Sequence, residues 1–386
     1  MKSTSEIRTV AVAAAPGASR AWVADALPIV VALAIAAVVG DVLILTFGES
    51  PATVYKQLIE GTWGNAYGIG QVLYKATTLA FTGLAFALAG RAGLFNVGAE
   101  SQLAMGGFAA AVVGMLLPAG LPSVVGVLLC VFAAASGGAA VAAVPGALRA
   151  RFGASEVIVT IMLNFVVLAL LNWLISAKLK VPETLHTPSI QSGNVPRLSD
   201  VFDGFRGSAA NWTILLALLA AVLTWWLLFR TRRGYELRAV GLQPDAAEYG
   251  GVQVSRVWWQ TMALSGALAG VGGVNFVLGY KGYYEEGFAG GAGFLGIAVA
   301  LVGRNHPFGI LLSALLFATL SQGGLAVNAL VPKQLTDILT AVVILAVATA
   351  VPEVQRQLRM AAASTLAALT RSGAAGASPK TPERVS

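Results

Sequence analysis

Apolar runs close to the length of a bilayer-spanning helix recur along almost the whole chain, at 26–47, 67–90, 98–117, 121–147, 156–176, 211–229, 257–280, 288–303, 307–324 and 334–351, separated by Pro, Gly or charged residues. A hydrophobic stretch of about 20 residues crosses the hydrocarbon core as a helix. A helix is also one of only two arrangements that satisfy every peptide group in lipid. The pattern predicts an all-α polytopic membrane protein of about ten transmembrane helices. Composition agrees, since 57% of the 386 residues are hydrophobic and only 11% are charged, outside the range of soluble domains. The 44 glycines favour a packed helical bundle over a β-barrel, because small residues let helix backbones approach closely. The run at 26–47 is longer than a signal-peptide core and has no clear cleavage site, so it reads as a retained first helix.

Orientation follows from charge. With the N-terminus inside and sides alternating at each span, most of the 25 Lys and Arg fall on the inner side. Arg91, Arg149, Arg151, the group Arg230, Arg232, Arg233, Arg238 and Arg256, then Arg304 and the C-terminal basic residues are all placed there. Both termini are therefore expected in the cytoplasm. The expected organisation is a cytoplasmic N-terminal tail at 1–25, a membrane domain at 26–351 and a cytoplasmic, largely disordered tail at 352–386. Within the membrane domain lie an external loop at 177–210 and a cytoplasmic loop at 230–256. In a polytopic chain the net charge of +7 marks inner loops rather than a nucleic-acid surface. The lone Cys130 offers no intrachain disulfide and reads as a small buried hydrophobe.

Ten spans divide as five plus five, and an odd number per half gives an inverted repeat. Thr78-Leu-Ala-Phe-Thr-Gly-Leu-Ala in the second run resembles Thr261-Met-Ala-Leu-Ser-Gly-Ala-Leu-Ala in the seventh. The third helix of each half follows a glycine-interrupted stretch, Gly90–Glu100 and Gly279–Gly293. Irregular backbone at membrane depth persists where it lines a cavity or is buried in protein, so these stretches point to the translocation pathway.

Polar side chains inside apolar helices are costly and must face protein or water. In Arg91-Ala-Gly-Leu-Phe-Asn-Val-Gly-Ala-Glu-Ser-Gln102, the candidates are Asn96, Glu100 and Gln102, with Arg91 the expected partner of Glu100. Glu156, Asn164 and Asn172 recur every eight residues along one helix face, either as interhelical hydrogen bonds or as solute contacts. Gly266, Gly270, Gly272 and Gly273 form a small-residue seam for helix packing, and Asn275 beyond it is a further pathway candidate. In the inner loop, Pro244 to Tyr249 followed by Gly250 and Gly251 reads as a short helix with Pro in its first turn and Gly as its stop.

No Gly-rich phosphate loop with Lys and Ser/Thr occurs, nor a nucleophile elbow or an HExxH zinc motif. His186 and His306 fall on opposite sides of this topology, so no shared metal site is expected, nor a cofactor on this chain.

Phe95-Asn-Val-Gly-Ala-Glu-Ser-Gln102 preceded by Arg-Ala-Gly, Glu156-Val-Ile-Val-Thr-Ile-Met-Leu-Asn-Phe165 and Arg238-Ala-Val-Gly-Leu-Gln-Pro-Asp-Ala-Ala-Glu-Tyr-Gly-Gly-Val252 resemble the permease subunits of bacterial ATP-binding cassette (ABC) importers for nucleosides. Those permeases belong to the wider group of ribose-type simple-sugar permeases and, more distantly, branched-chain amino-acid permeases. Ser101 stands where many nucleoside members have Gly. The resemblance implies a multi-pass protein of the bacterial inner membrane working by alternating access. Its implied partners are a second permease subunit, identical or not, cytoplasmic ATPases that bind ATP and Mg, and an extracytoplasmic solute-binding protein. It makes the Pro244–Tyr249 segment the coupling helix to the ATPase, with Arg238, Gly241, Pro244, Ala246, Ala247, Tyr249 and Gly250 as the contact residues. Nucleosides are the first expected solute, with simple sugars or branched-chain amino acids next. An ion-coupled secondary transporter, with Glu156 or Asp337 as its membrane carboxylate, is the alternative from another class.

Overall fold

The computed structural model describes residues 18–346 other than 180, 333 and 336. The tail expected at 352–386, and residues 1–17 of the one expected at 1–25, lie outside these described residues. Two compact units divide the chain, Met1–Val39 with Leu345–Ser386, and Gly40–Ile344. The described part of the first is helical, and the second unit carries the architecture below.

In chain order the helices are α1 (Ala18–Thr46), α2 (Pro51–Thr62), α3 (Ala66–Arg91), α4 (Ala99–Leu116), α5 (Ser123–Phe152), α6 (Glu156–Leu174), α7 (Thr213–Arg230), α8 (Arg232–Leu242), α9 (Pro244–Tyr249), α10 (Val254–Phe276), α11 (Ala292–Val302) and α12 (Pro307–Ala326). Single π-helical turns prolong α6 over Ile175–Leu179 and α10 over Val277–Lys281. Among the described residues pairing is limited to two isolated β-bridges, His186 with Glu285 and Arg197 with Asn211. The all-α expectation holds.

Seven helices, α3, α4, α5, α6, α7, α10 and α12, are long and apolar enough to cross a membrane, and an eighth span exists if the pair Leu33–Thr46 and Pro51–Thr62, bent by 111°, counts as one. The remaining two expected runs give shorter helices. The run at 288–303 yields the 11-residue α11, about 16 Å of helix against a hydrocarbon core of about 30 Å. Gly290 and Gly291, with φ of 50° and 84°, delay its start in backbone that favours glycine. The run at 334–351 yields Asp337–Ala346 within the described residues. Helix α2 was not expected, because Lys56, Gln57 and Glu60 interrupt its apolar residues. It is amphipathic, begins with Pro51 in its first turn, and ties to α12 through Gln57 Nε2 donating to the Ala326 carbonyl at 3.2 Å and Trp63 Nε1 to Thr319 Oγ1 at 3.2 Å.

Helix α10 packs on α4 and α5, and α3 packs on α11 and α12. The expected glycine seam makes the first contact possible. A Cβ on Gly138 would strike the Gly266 carbonyl, one on Gly270 the Ala134 carbonyl, and one on Gly106 the Gly270 backbone. Backbone therefore touches backbone where α4, α5 and α10 meet, the packing that small residues allow in lipid.

Residues 177–210 hold two short 3₁₀ turns, Leu198–Asp200 and Asp203–Phe205, and lie against the far end of α10. Thr187 N donates to the Tyr284 carbonyl at 2.9 Å, Val195 N to Leu278 at 2.9 Å, and His186 stacks on Tyr283 at 4.2 Å.

Candidate functional site

After Arg91 the chain turns at Gly93, φ 72°, and residues 94–98 run back into the bundle before α4 begins. Buried amides hold this re-entrant stretch. Asn96 Nδ2 donates to Gln102 Oε1 at 2.8 Å and to Ser265 Oγ at 2.8 Å, and its Oδ1 accepts from Gln102 Nε2 at 2.9 Å and from Gly98 N at 3.0 Å. Ser265 Oγ donates in turn to the Ala85 carbonyl at 2.6 Å. Asn164 of α6 accepts from Ser101 N at 3.1 Å, one of the amides that a helix start leaves without an intrahelical partner. It also donates to the Val97 carbonyl at 3.0 Å.

Glu100 sits in the first turn of α4 and reaches the start of α11. Its Oε1 accepts from Gly291 N at 2.8 Å and its Oε2 from Gly293 N at 2.7 Å. One carboxylate thus lies at two helix N-termini, where the helix dipoles favour negative charge. The two starts meet in backbone contact, for a Cβ on Gly293 would overlap Glu100 N and Cα.

The expected Arg91–Glu100 pair does not form. Arg91 lies at the end of α3 and donates from Nε and Nη2 to the Asn305 carbonyl at 3.2 and 3.0 Å, with its guanidinium 5.7 Å from the Phe229 ring centre. The physical reason is depth: the turn at Gly93 carries Glu100 into the bundle and leaves Arg91 at its end. Burial, and after it the charge of Arg91, push the nearby His306 below the ordinary imidazole value. Glu156 closes the stretch from below, accepting from Phe95 N at 3.3 Å and pairing with Arg149 at 3.5 Å.

A second polar knot surrounds Asn275, just before α10 becomes π-helical. Its Nδ2 donates to the Tyr74 carbonyl at 2.9 Å and Thr78 Oγ1 at 2.8 Å, while its Oδ1 accepts from Asn211 Nδ2 at 2.9 Å and Thr213 Oγ1 at 2.8 Å.

Beside this knot lies a cavity of about 270 Å³, walled by Tyr74, Lys75 and Thr78 of α3, Phe276 of α10, Phe288, the backbone of Gly290–Ala292 and Ser321 of α12. Lys75 Nζ donates to Ser321 Oγ at 3.2 Å, and the Phe276 and Phe288 rings stack at 4.7 Å. The five residues expected on the pathway, Asn96, Glu100, Gln102, Asn164 and Asn275, are buried and engaged within the chain. They are not among the side chains lining this cavity. Asn275 stands behind Tyr74 and Thr78, and Glu100 behind Gly291. The interrupted stretch Gly279–Gly293 read from the sequence contains Phe288 and Gly290–Ala292 of this wall, whereas Tyr74, Lys75, Phe276 and Ser321 were not among the residues singled out. The available signal was Lys75, a cation inside an apolar helix.

At the opposite end, α9 occupies Pro244–Tyr249, the bounds read from the sequence. Gly251, φ 84°, lets Val252 N turn back to the Ala247 carbonyl at 3.0 Å. Ala247 is buried in a small cluster with Val240 and Val254, whereas Ala246, Tyr249 and Gly250 are exposed, Tyr249 by 95%. Two other coupling candidates point into the protein. Gly241 meets the Arg91 carbonyl, and the Arg238 guanidinium lies 5.3 Å from the Phe229 ring that Arg91 also covers. Helix α8 thus approaches the end of α3 closely at Gly241, and α9 follows directly after it.

Residues 68–348 match the family described as branched-chain amino acid transport system / permease component. The guanosine ABC transporter permease protein NupP of Bacillus subtilis is 36% identical over 327 residues, covering 83% of this chain and 92% of that protein. The nucleoside ABC transporter permease protein NupB of Lactococcus lactis is 33% identical over 325 residues, 82% of this chain and 89% of that protein. The glucose ABC transporter permease protein TsgB13 of Haloferax volcanii is 33% identical over 343 residues, 84% and 87% of the two.

Proposed function

This chain belongs to the branched-chain amino acid transport system / permease component family, and from that premise we propose that it is the membrane permease of an ABC importer that carries nucleosides across the bacterial inner membrane. Its nucleoside-transporting relatives support the solute class. The observation that carries the coupling role is α9: a short helix, exposed at Ala246, Tyr249 and Gly250, following an α8 that packs closely on the end of α3 at Gly241. ATP and Mg belong to a partner ATPase that receives α9, and solute arrives from an extracytoplasmic binding protein. A second permease copy or a related chain completes the pore.

The α9 end faces the cytoplasm in this reading, since Arg149, Arg151, Arg230, Arg232, Arg233, Arg238 and Arg256 gather there. The eight spans, α11 and Asp337–Ala346 make ten membrane segments in two inverted halves of five. Matched contacts support the repeat. Thr82 of α3 donates to the Ala292 carbonyl at the start of α11 at 3.1 Å. Ser265 of α10, its counterpart in the repeated motif, receives the Asn96 amide that leads into α4. The corresponding third segments, α4 and α11, then meet start to start at Glu100. Asn96, Glu100, Gln102, Asn164 and Asn275 act on the pathway as the polar spine that moves these segments together. A pull on α9 passes through Gly241 and Arg91 to residues 94–98, then through Glu100 to the cavity wall at Gly291.

The test is solute-stimulated ATP hydrolysis in proteoliposomes holding the permease with its ATPase and binding protein, comparing nucleosides, ribose, glucose and branched-chain amino acids. Stimulation by nucleosides that disappears when Pro244–Tyr249 is replaced by a Gly/Ser linker is the expected result. Stimulation by a sugar alone would move the solute class. Ion-driven uptake without any ATPase would remove the ABC reading.

A further inference from the structure

Charged side chains within spanning helices face the bundle interior or a cavity and mark functional sites, and Lys75 of α3 is such a residue. It is half-buried, it donates to Ser321 across the gap between α3 and α12, and among the described residues lining the 270 Å³ cavity it is the one charged side chain. The same cavity is lined by aromatic rings, Phe276 and Phe288 stacked at 4.7 Å and Tyr74 next to Lys75 on α3. The nearby start of α11 adds no anion preference, because Glu100 already occupies its amides at Gly291 and Gly293.

The volume lies just under the range of small-molecule pockets, about 300–1,000 Å³, which suits a single nucleoside or monosaccharide and excludes a peptide. An aromatic face takes a planar ring, and an ammonium beside a hydroxyl takes hydrogen-bond acceptors such as ribose oxygens. Among the described lining residues there is no carboxylate, so a cationic solute finds no counter-charge there. We propose that this cavity is an intramembrane solute site of the permease, in which the base of a neutral nucleoside packs on Phe276 and Phe288 while its ribose oxygens replace Ser321 as acceptors from Lys75. The inference rests on the nucleoside-importer reading above and adds the residues that recognise the solute.

The test uses the reconstituted importer with saturating binding protein and radiolabelled guanosine, with wild type, Lys75→Ala, Lys75→Arg, Phe288→Ala and the α6 surface control Phe165→Ala, each confirmed to co-purify with the ATPase. Lys75→Ala is expected to lower maximal uptake about tenfold, the weight of one hydrogen bond from a charged donor. Lys75→Arg should recover most of it, Phe288→Ala should also fall, and Phe165→Ala should stay within about twofold of wild type. In a Cys130→Ala background, Ser321→Cys should be modified by a small thiol reagent more slowly when guanosine, binding protein and ATP are present, with ribose protecting less. If wild type takes up guanosine while Lys75→Ala and Phe288→Ala match it and Ser321→Cys is unprotected, the pocket inference is overturned and the importer reading stands. No uptake of any nucleoside by wild type would instead sink the importer reading.

Discussion

The helices α3, α4 and α10 differ from α5, α6 and α7 in a way that reverses the rule for soluble proteins. The more apolar set is α5, α6 and α7, yet only 28%, 28% and 33% of their spanning windows are buried inside the protein, against 78%, 67% and 67% for α3, α4 and α10. In lipid the tails are as apolar as leucine, so burial of apolar surface does not sort helices. Close backbone approach and hydrogen bonding do. The inner helices carry most of the seam glycines, with Gly138 supplied by α5, and the polar groups Thr82, Glu100, Gln102, Ser265 and Asn275, with Asn96 just ahead of α4, whereas the outer set exposes side chains such as Phe132, Phe165, Trp173 and Leu223. What holds the centre together is small residues and amides, and what faces outward is large hydrophobes.

The contrast breaks most visibly at the seam. Gly270→Leu sets a side chain against the Ala134 carbonyl and, at 3.0 Å, the Gly138 Cα. Because backbone cannot yield as a flexible side chain does, the expected cost exceeds about 3 kcal/mol, read as loss of monodisperse permease on size-exclusion chromatography. A stable, assembled variant would show that α5 and α10 separate without penalty.

A smaller effect is expected at Glu100→Gln. The amide keeps one acceptor for the Gly291 and Gly293 amides but turns an NH₂ group toward the other, and the attraction of charge for two helix starts is lost. About 1–3 kcal/mol of stability should go, seen as a lower midpoint of thermal inactivation in detergent and slower uptake. An unchanged midpoint would mean that the carboxylate does not join α4 to α11.

The least effect belongs to the outer set. Phe165→Leu on α6, where Phe165 is 69% exposed, should change stability by less than about 0.5 kcal/mol and leave assembly intact. Loss of assembly would sharpen the comparison in a different direction, by making that face of α6 the contact with the second permease subunit rather than with lipid.

Much of this arrangement was legible in the residues. The run lengths located the seven helices long and apolar enough to span, the spacing of Gly266 and Gly270 located the seam, and Pro244 with Gly250 and Gly251 bounded α9. The unread parts share a cause. Helix α2 was hidden because Lys56, Gln57 and Glu60 break its apolar pattern, and its apolar side finds α12, far away in sequence. The Arg91–Glu100 pairing failed because proximity in sequence says nothing of depth once a left-handed glycine at 93 reverses the chain. Tyr74, Lys75, Phe276, Phe288 and Ser321 come from three helices and a loop, and nothing in their spacing marks them as neighbours.

The sequence by itself determined where the seven helices long and apolar enough to span a bilayer lie, which loops carry positive charge and where the short α9 begins and ends. Each depends on local quantities: apolar length against membrane thickness, charge in short loops, and backbone limits at Pro and Gly. Tertiary structure decided the partners. That Glu100 serves two helix starts rather than an arginine, and that a lysine lines the same cavity as stacked aromatic rings, depends on how deep each segment sits and which helix it meets. Those outcomes come from packing across long sequence separations, where small residues and buried amides select among contacts that apolar pattern alone leaves equivalent.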